Sequence, residues 1–271
     1  MKRIVLGVQY DGQPWFGWQS QPHGQTVQDM LEKALHRIAT HPIKISCAGR
    51  TDAGVHALEQ VVHFDTETDR PINSWVRGVN AHLPDSIAVR WSKQLPKNSY
   101  AKPESGQVQE FHSRFSARAR TYHYVLYNHP VRSPILAGRV GWAFRHLDEE
   151  KMREAAGYLV GEHDFSSFRA THCQAKSPIK LMHEITIRRE GDIIVFTFRA
   201  SAFLHHMVRN IVGSLLVVGI GKQEPRWIHD VLATRNRSIA APTFMPDGLY
   251  LAKVDYDPKW ELPQQPSFLP W

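Results

Sequence analysis

Cysteine is scarce in this chain of 271 residues, which excludes two kinds of site. The two cysteines, Cys47 and Cys173, lie far apart and form no C-x-x-C motif. A disulfide framework or a thiolate zinc site would need more cysteines at closer spacing. The pattern favours a reducing compartment, so we expect a cytoplasmic protein.

Long apolar runs are also missing from the sequence. No run approaches the ~20 apolar residues that a helix needs to cross a bilayer. The chain begins with a strand pattern at Ile4–Val8 and shows no signal peptide. We therefore expect a soluble protein without a membrane partner.

Several motifs of common enzyme classes are absent. The sequence contains no glycine-rich motif of a nucleotide cofactor site and no G-x-S-x-G motif of a serine hydrolase. It has no H-E-x-x-H pattern, although His205 and His206 are adjacent and Asp52 and His56 could join them as ligands. Neighbouring residues of a helix point about 100° apart, which is a poor geometry for chelation. A zinc or two-metal hydrolase stays as an alternative.

Acidic residues are absent from two long stretches, Phe111–Leu147 and Phe165–His183. The whole chain is basic, with 33 Lys+Arg against 26 Asp+Glu and a formal net charge of +7. Arginine forks bind phosphate oxygens, and aromatic rings stack on unpaired bases. A solvated basic face over core aromatics is the alternative, but it explains poorly why acids vanish over such lengths. No predicted helix is typical of groove recognition, so we expect RNA rather than DNA.

The order of strands and helices indicates an α+β fold in two α/β halves. The composition shifts to Lys, Pro, Ser, Gly and Gln from Pro96 to Glu110, which is typical of an exposed connector. We predict an N-terminal half at 1–110, a C-terminal half at 111–256 and a tail at 257–271. The apolar patterns predict strands at Ile4–Val8, Ile43–Cys47, Gln60–Phe64, Ile87–Trp91, Tyr122–Tyr127, Ile185–Arg189, Ile193–Phe198 and Tyr250–Tyr256, and helices that follow Thr26, begin near Trp75, follow Asp148, run over Phe203–Leu216 and follow Pro225.

The loop Cys47–His56 contains a candidate reactive group, Asp52. Gly49 and Gly54 bracket it, and Arg50 precedes it by two positions. Glycine permits positive φ and lets a ligand or another backbone approach closely. An ordinary Asp-containing turn is the alternative reading of the same residues, because Asp and Gly dominate turns for local reasons.

Arg209 is a candidate partner for this carboxylate. It lies on the side of the predicted helix away from the apolar pairs, so its guanidinium can reach a polar cleft. Paired with Asp52, it would favour the ionised carboxylate and orient it. An arginine that only solvates the surface of the helix is the alternative.

Six sequence blocks stand out in the chain and together cover roughly residues 3 to 256. The blocks are Tyr10-Asp11-Gly12 with Phe16-Gly17-Trp18-Gln19, Gly49-Arg50-Thr51-Asp52-Ala53-Gly54-Val55-His56, Gln60-Val61-Val62-His63-Phe64, Phe115-Ser116-Ala117-Arg118-Ala119-Arg120-Thr121-Tyr122, His205-His206-Met207-Val208-Arg209-Asn210-Ile211 and Gly248-Leu249-Tyr250-Leu251. They resemble the tRNA pseudouridine synthase A family and occur in that family's order. One Gly-Arg-Thr-Asp motif alone would be weak, whereas six blocks in register are specific.

The resemblance implies an isomerase that converts uridine to pseudouridine at positions 38, 39 and 40 of the tRNA anticodon stem-loop. It implies the pseudouridine synthase fold, in which two α/β halves with mixed, mainly antiparallel sheets lie side by side around a basic central cleft. The family uses no cofactor and no metal, and it works as a homodimer. We therefore expect tRNA and a second copy of the chain as partners.

The resemblance also implies roles for individual residues. Asp52 would be the catalytic aspartate, Tyr122 the ring stacked on the target base, and Arg209 the salt-bridge partner of the aspartate. Arg50 would fill the space left by the flipped base, and Leu249 would form part of the apolar wall. The further residues that we expect to contact tRNA are Arg70, Phe111, His112, Arg114, Phe115, His172 and Lys176.

The sequence departs from the family's pattern in two places. The connector at Lys97–Gln109 is longer than usual, with Ser113 just beyond it in place of a common alanine, and the tail after Tyr256 has no clear counterpart. Neither change touches the expected chemistry. A non-catalytic RNA-binding protein is the rival from another functional class, and the intact set of Asp52, Tyr122 and Arg209 argues against it.

Overall fold

A computed structural model describes residues 1–96 and 110–264. The chain forms two compact units: unit 1 contains Met1–Arg118 and Leu251–Trp271, and unit 2 contains Ala119–Tyr250. The division into domains at 1–110, 111–256 and 257–271 remains a prediction. Units 1 and 2 are defined instead by the contacts within the chain. Residues 97–109, most of the expected connector, lie outside the described residues.

Unit 1 is built on an antiparallel sheet covered by two helices. The strand order is β4-β1-β3-β10, and β2 pairs with β3 at Ser46 and Cys47. β1 runs antiparallel to both of its neighbours. The elements are β1 (Lys2–Tyr10), α1 (Val27–Ala39), β2 (Ser46–Cys47), β3 (His56–Thr66), α2 (Ser74–Asn80), β4 (Ile87–Gln94) and β10 (Leu249–Tyr256), the first two residues of which belong to unit 2.

A local sequence signal explains how α1 begins. Thr26 caps α1 by accepting a hydrogen bond from the Asp29 amide at 3.3 Å, and its hydroxyl donates to the Asp29 carboxylate at 2.6 Å. This reciprocal arrangement satisfies donors that the first turn of a helix otherwise leaves unpaired. On the adjacent sheet, Phe64 of β3 packs edge-on against Trp75 of α2, with ring centroids 5.2 Å apart.

The opposite face of β3 carries two buried ionisable groups. Side chains alternate along a strand, so Glu59, Val61 and His63 share the face opposite Phe64. Glu59 is 6% exposed and accepts a hydrogen bond from Trp91 Nε1 at 3.3 Å. His63 accepts a hydrogen bond from the Ser113 amide at 3.2 Å. Each group is therefore removed from water by the packing of unit 1.

Unit 2 contains four antiparallel strands in sequence across the sheet, one short parallel strand and three α-helices. Its strand order is β5-β9-β8-β7, with β6 parallel to β5. Asp148 caps α3 by accepting from the Lys151 amide at 3.0 Å, as its sequence position predicts. The elements are β5 (Ala117–Asn128), β6 (Gly141–Ala143), α3 (Glu149–Gly157), β7 (Gly161–Asp164), β8 (Ile179–Glu190), β9 (Ile193–Ala200), α4 (Met207–Gly219) and α5 (Trp227–Thr234).

The mixed α/β class with a mainly antiparallel sheet is confirmed. Among residues 1–96 and 110–264, no helix has the length and apolar content to cross a membrane. Part of the expected tail packs within unit 1, because Trp260 is 7% exposed and lies against Phe111 with ring centroids 5.3 Å apart. Residues 265–271 of that tail lie outside the described part of the chain.

The helix predicted from Phe203 begins later, at Met207. His206 has a left-handed backbone, with φ of 61°, so the helix cannot extend back through it. His205 and His206 therefore precede the helix, and their ring centroids lie 3.9 Å apart. The prediction that helical spacing separates these two side chains is therefore wrong. The predicted strand Ile43–Cys47 is likewise shortened to Ser46–Cys47.

The two buried groups of β3 make opposite contributions to the pH dependence of stability. Burial raises the pKa of the Glu59 carboxyl from 4.5 to about 7, so its share of the free energy of unfolding falls as pH rises between these values. Burial lowers the pKa of the His63 imidazole from 6.5 to about 3. The stability that His63 contributes is lost as pH falls from about 6.5 to 3, because only the unfolded chain takes up the proton.

We predict that Glu59→Gln stabilises the protein by about 2 kcal/mol at pH 8, because it removes a buried carboxylate that must ionise there. Below pH 4.5 the gain should vanish. Denaturant unfolding between pH 4 and pH 8 measures this difference. Glu67→Gln, at an exposed position just after β3, is the matched control. Parallel pH profiles for wild type and Glu59→Gln would contradict the prediction.

Candidate active site

The loop that carries Asp52 is a tight turn fixed at both ends. The Val55 amide donates to the Asp52 carbonyl oxygen at 3.1 Å, and Gly54 takes a φ of 78° at the third position. A positive φ at that position is the signature of a type II turn, and it favours glycine. The turn leaves the Asp52 side chain half-exposed. It therefore presents a carboxylate from a defined backbone.

The segment after β1 packs directly against this turn. A Cβ atom placed on Gly12 would lie 2.0 Å from the Val55 carbonyl oxygen, so only glycine permits this approach. The Trp18 amide donates to the Thr51 carbonyl oxygen at 3.0 Å, and the Tyr10 and Thr51 hydroxyls are 2.7 Å apart. Two sequence blocks that are distant in the chain thus form one rigid support for Asp52.

A third block supports the start of the loop. Gln60 is fully buried in β3, and its side chain donates to the Gly49 carbonyl oxygen at 2.5 Å while it accepts from the Gly49 amide at 3.3 Å. The Gly12 amide donates to His56 Nδ1 at 3.0 Å. These roles of Gln60 and Gly12 were missed by the sequence analysis, although both residues lie inside blocks that it singled out.

Arg50 and Arg114 both lie on the surface of unit 1. Burial raises the pKa of the Cys47 thiol to about 11, and the charges of these two arginines oppose that shift. Both guanidinium groups therefore act on the same thiol. The structure thus brings together two residues that the sequence assigned to tRNA binding.

His112, Arg114 and Phe115 form an exposed aromatic and basic cluster in unit 1. The Phe115 side chain is 76% exposed and lies 4.4 Å from the His112 ring, centroid to centroid. The Arg114 guanidinium lies 5.8 Å from the centre of the Phe115 ring. The Arg114 amide donates to His112 Nδ1 at 3.1 Å, and burial lowers the pKa of that imidazole. The cluster can offer a ring to a base and a cation to a phosphate.

An ion-pair network fixes the chain just before this cluster. Arg3 bonds both oxygens of Asp65, at 2.8 and 2.7 Å, and also pairs with Glu110 at 2.7 Å. Its third contact is to the Phe111 carbonyl oxygen at 2.5 Å. Phe111 itself is fully buried and packs against Tyr256 at 5.4 Å. That position suits core packing rather than the direct substrate contact expected from sequence.

Arg70 lies in the irregular segment between β3 and α2 and is exposed. In unit 2, His172 and Lys176 are exposed on the loop before β8. Arg169 shapes that loop by donating to the carbonyl oxygens of Cys173 and Ala175, at 2.6 and 3.0 Å. All three expected contacts are therefore accessible to a polyanion.

Tyr122 lies in β5, opposite Phe198 of β9. Its side chain is largely buried, at 9% exposure, and its ring meets Phe203 edge-on with centroids 4.9 Å apart. The neighbouring strand and the chain before α4 therefore fix the orientation of the ring. A fixed ring can stack on a base without losing further side-chain entropy.

Arg209 and Leu249 are held by the segment between α5 and β10. Arg209 Nε donates to the Phe244 carbonyl oxygen at 2.8 Å, and the Phe244 amide donates back to the Arg209 carbonyl oxygen at 3.3 Å. Leu249 is 6% exposed, and its amide donates to the Pro246 carbonyl oxygen at 2.8 Å. One short segment thus positions two of the expected site residues.

Comparison with known proteins identifies close relatives. A sequence model of the family described as tRNA pseudouridine synthase matches residues 7–102 and 155–257. A protein of Herminiimonas arsenicoxydans named tRNA pseudouridine synthase A is 64% identical over 263 residues, which cover 97% of this chain and 93% of that protein. Proteins of the same name from Janthinobacterium sp. (strain Marseille) and Paraburkholderia xenovorans (strain LB400) are 63% and 56% identical, covering 97% and 100% of this chain and 95% and 96% of theirs.

We predict that Gly12→Ala destabilises the protein by about 1–3 kcal/mol, because the added methyl overpacks against the backbone of the Asp52 loop. Gly157→Ala is the matched control, since a Cβ at Gly157 meets no heavy atom within 4 Å. At that position in α3, alanine should be neutral or should stabilise by up to about 1 kcal/mol. Denaturant unfolding of both variants measures the difference, and equal midpoints would contradict the account of the loop.

Proposed function

The chain belongs to the tRNA pseudouridine synthase family, and we propose that it isomerises uridine at positions 38, 39 and 40 of the tRNA anticodon stem-loop. At the coarser level it is an isomerase that makes pseudouridine in tRNA. The observation that carries the proposed chemistry is the half-exposed Asp52 carboxylate, presented by a loop that two other sequence blocks support. The target positions rest on the likeness to proteins named tRNA pseudouridine synthase A.

The reaction breaks the C1′–N1 bond of a uridine and joins C1′ to C5 of the same base. The proton that leaves C5 is balanced by one that N1 takes up, so the product is an isomer of the substrate. The base must first leave the stack, which costs a few kcal/mol. Contacts between phosphates and arginines or lysines can offset that cost. The exposed cluster of His112, Arg114 and Phe115 supplies both a cation and a stacking face for this step.

Asp52 acts at the sugar. When the glycosidic bond breaks, positive character develops at C1′, and an ionised carboxylate stabilises it. The carboxylate acts there either as a nucleophile at C1′ or by assisting elimination. Arg209 favours the ionised form and orients it, and Arg50 occupies the space that the flipped base leaves.

Tyr122 acts at the base. Its ring is fixed by Phe203 and can stack on the uracil while the base rotates between cleavage and rejoining. Its phenol can help to remove the C5 proton after the new bond forms. Leu249 belongs to the apolar wall that keeps the detached base from escaping.

Partners and location follow from the same resemblance. The chain works on tRNA as a homodimer in the cytoplasm. Arg70, His172 and Lys176 contact the tRNA outside the reacting nucleotide. Support for these contacts is the exposure of all three side chains.

We predict that Asp52→Asn abolishes pseudouridine formation and leaves tRNA affinity within a few-fold of wild type, because the amide keeps the size of the side chain but cannot meet the positive sugar. Unmodified tRNA transcripts with uridine or cytidine at positions 38–40 serve as substrates, and pseudouridine mapping gives the readout. Asp192→Asn, in the exposed turn between β8 and β9, is the control and should retain wild-type turnover.

Normal turnover of Asp52→Asn would overturn the assignment of this residue. An inactive wild-type protein that still binds tRNA would support the rival function, a non-catalytic RNA-binding protein. Product on the transcript with cytidine at positions 38–40 would instead overturn the proposed target.

We predict that Phe115→Ala raises KM for tRNA about tenfold with little change in kcat, because the loss of one base-stacking ring costs about 1–3 kcal/mol of binding. Phe115 is 76% exposed, so its truncation should leave the fold intact. Ile135→Ala, at a side chain that is 88% exposed, controls for the loss of apolar surface. Steady-state kinetics measure both variants, and an unchanged KM for Phe115→Ala would exclude this contact.

A further inference from the structure

Tyr124 is a fully buried tyrosine to which the proposed function gives no role. It follows Tyr122 by two positions on β5, and alternate residues of a strand share a face of the sheet. Its ring is therefore on the same face as the ring that would stack on the base. Its contacts on that face affect two other expected site residues, Arg209 and Leu249.

The hydroxyl of Tyr124 reaches the segment that precedes β10. It donates to the Met245 carbonyl oxygen at 2.9 Å, and its ring packs against Phe244 with centroids 5.8 Å apart. Burial raises the pKa of the phenol well above its usual value, and the nearby Asp247 carboxylate acts in the same direction. The group therefore remains a hydrogen-bond donor throughout the working pH range.

The segment that receives this bond holds Arg209. The Phe244 carbonyl oxygen accepts from Arg209 Nε, and the Phe244 amide donates to the Arg209 carbonyl oxygen. Residues 241–248 form neither helix nor strand, so no ladder of backbone hydrogen bonds fixes this segment. Its position depends on individual contacts such as the one from Tyr124.

Gly248, at the far end of this segment, packs against the ring of Tyr124. The Val125 amide donates to the Gly248 carbonyl oxygen at 2.8 Å. A Cβ on Gly248 would lie 2.9 Å from Tyr124 Cε1, so the backbone passes close to the edge of the ring. Leu249 is the next residue after Gly248. The contact of Gly248 with Tyr124 and the hydrogen bond from the Leu249 amide to Pro246 set the direction of its backbone.

We propose that Tyr124 is a positioning residue for the isomerisation, which acts through the Phe244–Gly248 segment to orient the Arg209 guanidinium and the Leu249 side chain. This inference rests on the proposed function, because it assumes that Arg209 and Leu249 serve the reaction. Tyr124 itself touches no reacting atom. Its hydroxyl bonds to Met245, the residue next to Phe244, whose backbone bonds Arg209 in both directions.

The test variant is Tyr124→Phe, which keeps the ring and removes only the bond to Met245. The expected result is a fall in kcat of about tenfold, with KM for tRNA within about twofold of wild type. Tyr250→Phe is the matched control, because Tyr250 is also buried and its hydroxyl also donates to a backbone carbonyl oxygen, that of Arg139 at 2.5 Å. The control should keep the kcat of wild type.

A double-mutant cycle separates positioning from a general loss of structure. If Tyr124 acts through Arg209, then Tyr124→Phe should change kcat less than about twofold when Arg209→Lys is already present. An unchanged kcat for the single variant, or a full tenfold loss in the Arg209→Lys background, would overturn the proposal. A loss confined to KM would also overturn it.

Amide hydrogen exchange of the free protein gives a readout that does not depend on activity. In Tyr124→Phe, the Phe244 and Leu249 amides should exchange about tenfold faster, while amides of β8 stay unchanged. Unchanged exchange at Phe244 and Leu249 would overturn the positioning role. A wild-type protein that makes no pseudouridine would overturn the proposed function and leave this exchange test standing.

Discussion

The contact between Gly12 and the Val55 carbonyl oxygen is the constraint on which the site in unit 1 depends. It brings the segment after β1 against a turn whose third position, Gly54, has a positive φ that favours glycine. Backbone and hydroxyl bonds to Thr51 then fix the residue next to Asp52. The carboxylate is thereby placed by the fold before any substrate arrives, which is the condition for electrostatic stabilisation without reorganisation.

Unit 2 also holds its expected site residues in place, but through different contacts. An irregular segment bonds Arg209 in both directions, and a buried phenol on β5 fixes that segment. The aromatic ring at Tyr122 is set two positions earlier on the same strand. In both units, therefore, hydrogen bonds within the unit hold the segment that carries a proposed site residue. Arg114 and Phe115 of unit 1 are exposed, and a cation beside an aromatic ring suits a polyanionic substrate.

Local signals in the sequence predicted much of this fold. The pairing of Thr26 with Asp29 placed the start of α1, and the apolar pattern placed β3 and β10, because these features depend on neighbours in the chain. The predicted start of α4 at Phe203 was wrong. His206 has a left-handed backbone, and the spacing of apolar residues does not reveal the backbone conformation of a single residue. The burial of Phe111 could not be predicted from its neighbours in the sequence either. The residues that cover it, Tyr256 and Trp260, follow it by well over a hundred positions. The roles of Gly12, Gln60 and Tyr124 depend on such distant contacts as well.

The central claim is that this protein isomerises uridines 38, 39 and 40 of the tRNA anticodon stem-loop without a metal. Its most direct test is a single incubation of the wild-type protein with unmodified tRNA in the presence of a chelator, followed by mapping of every pseudouridine in the product. We expect pseudouridine at positions 38, 39 or 40 wherever uridine stands there, and at no other position. A tRNA that remains unmodified, or one that carries pseudouridine only elsewhere, would contradict it.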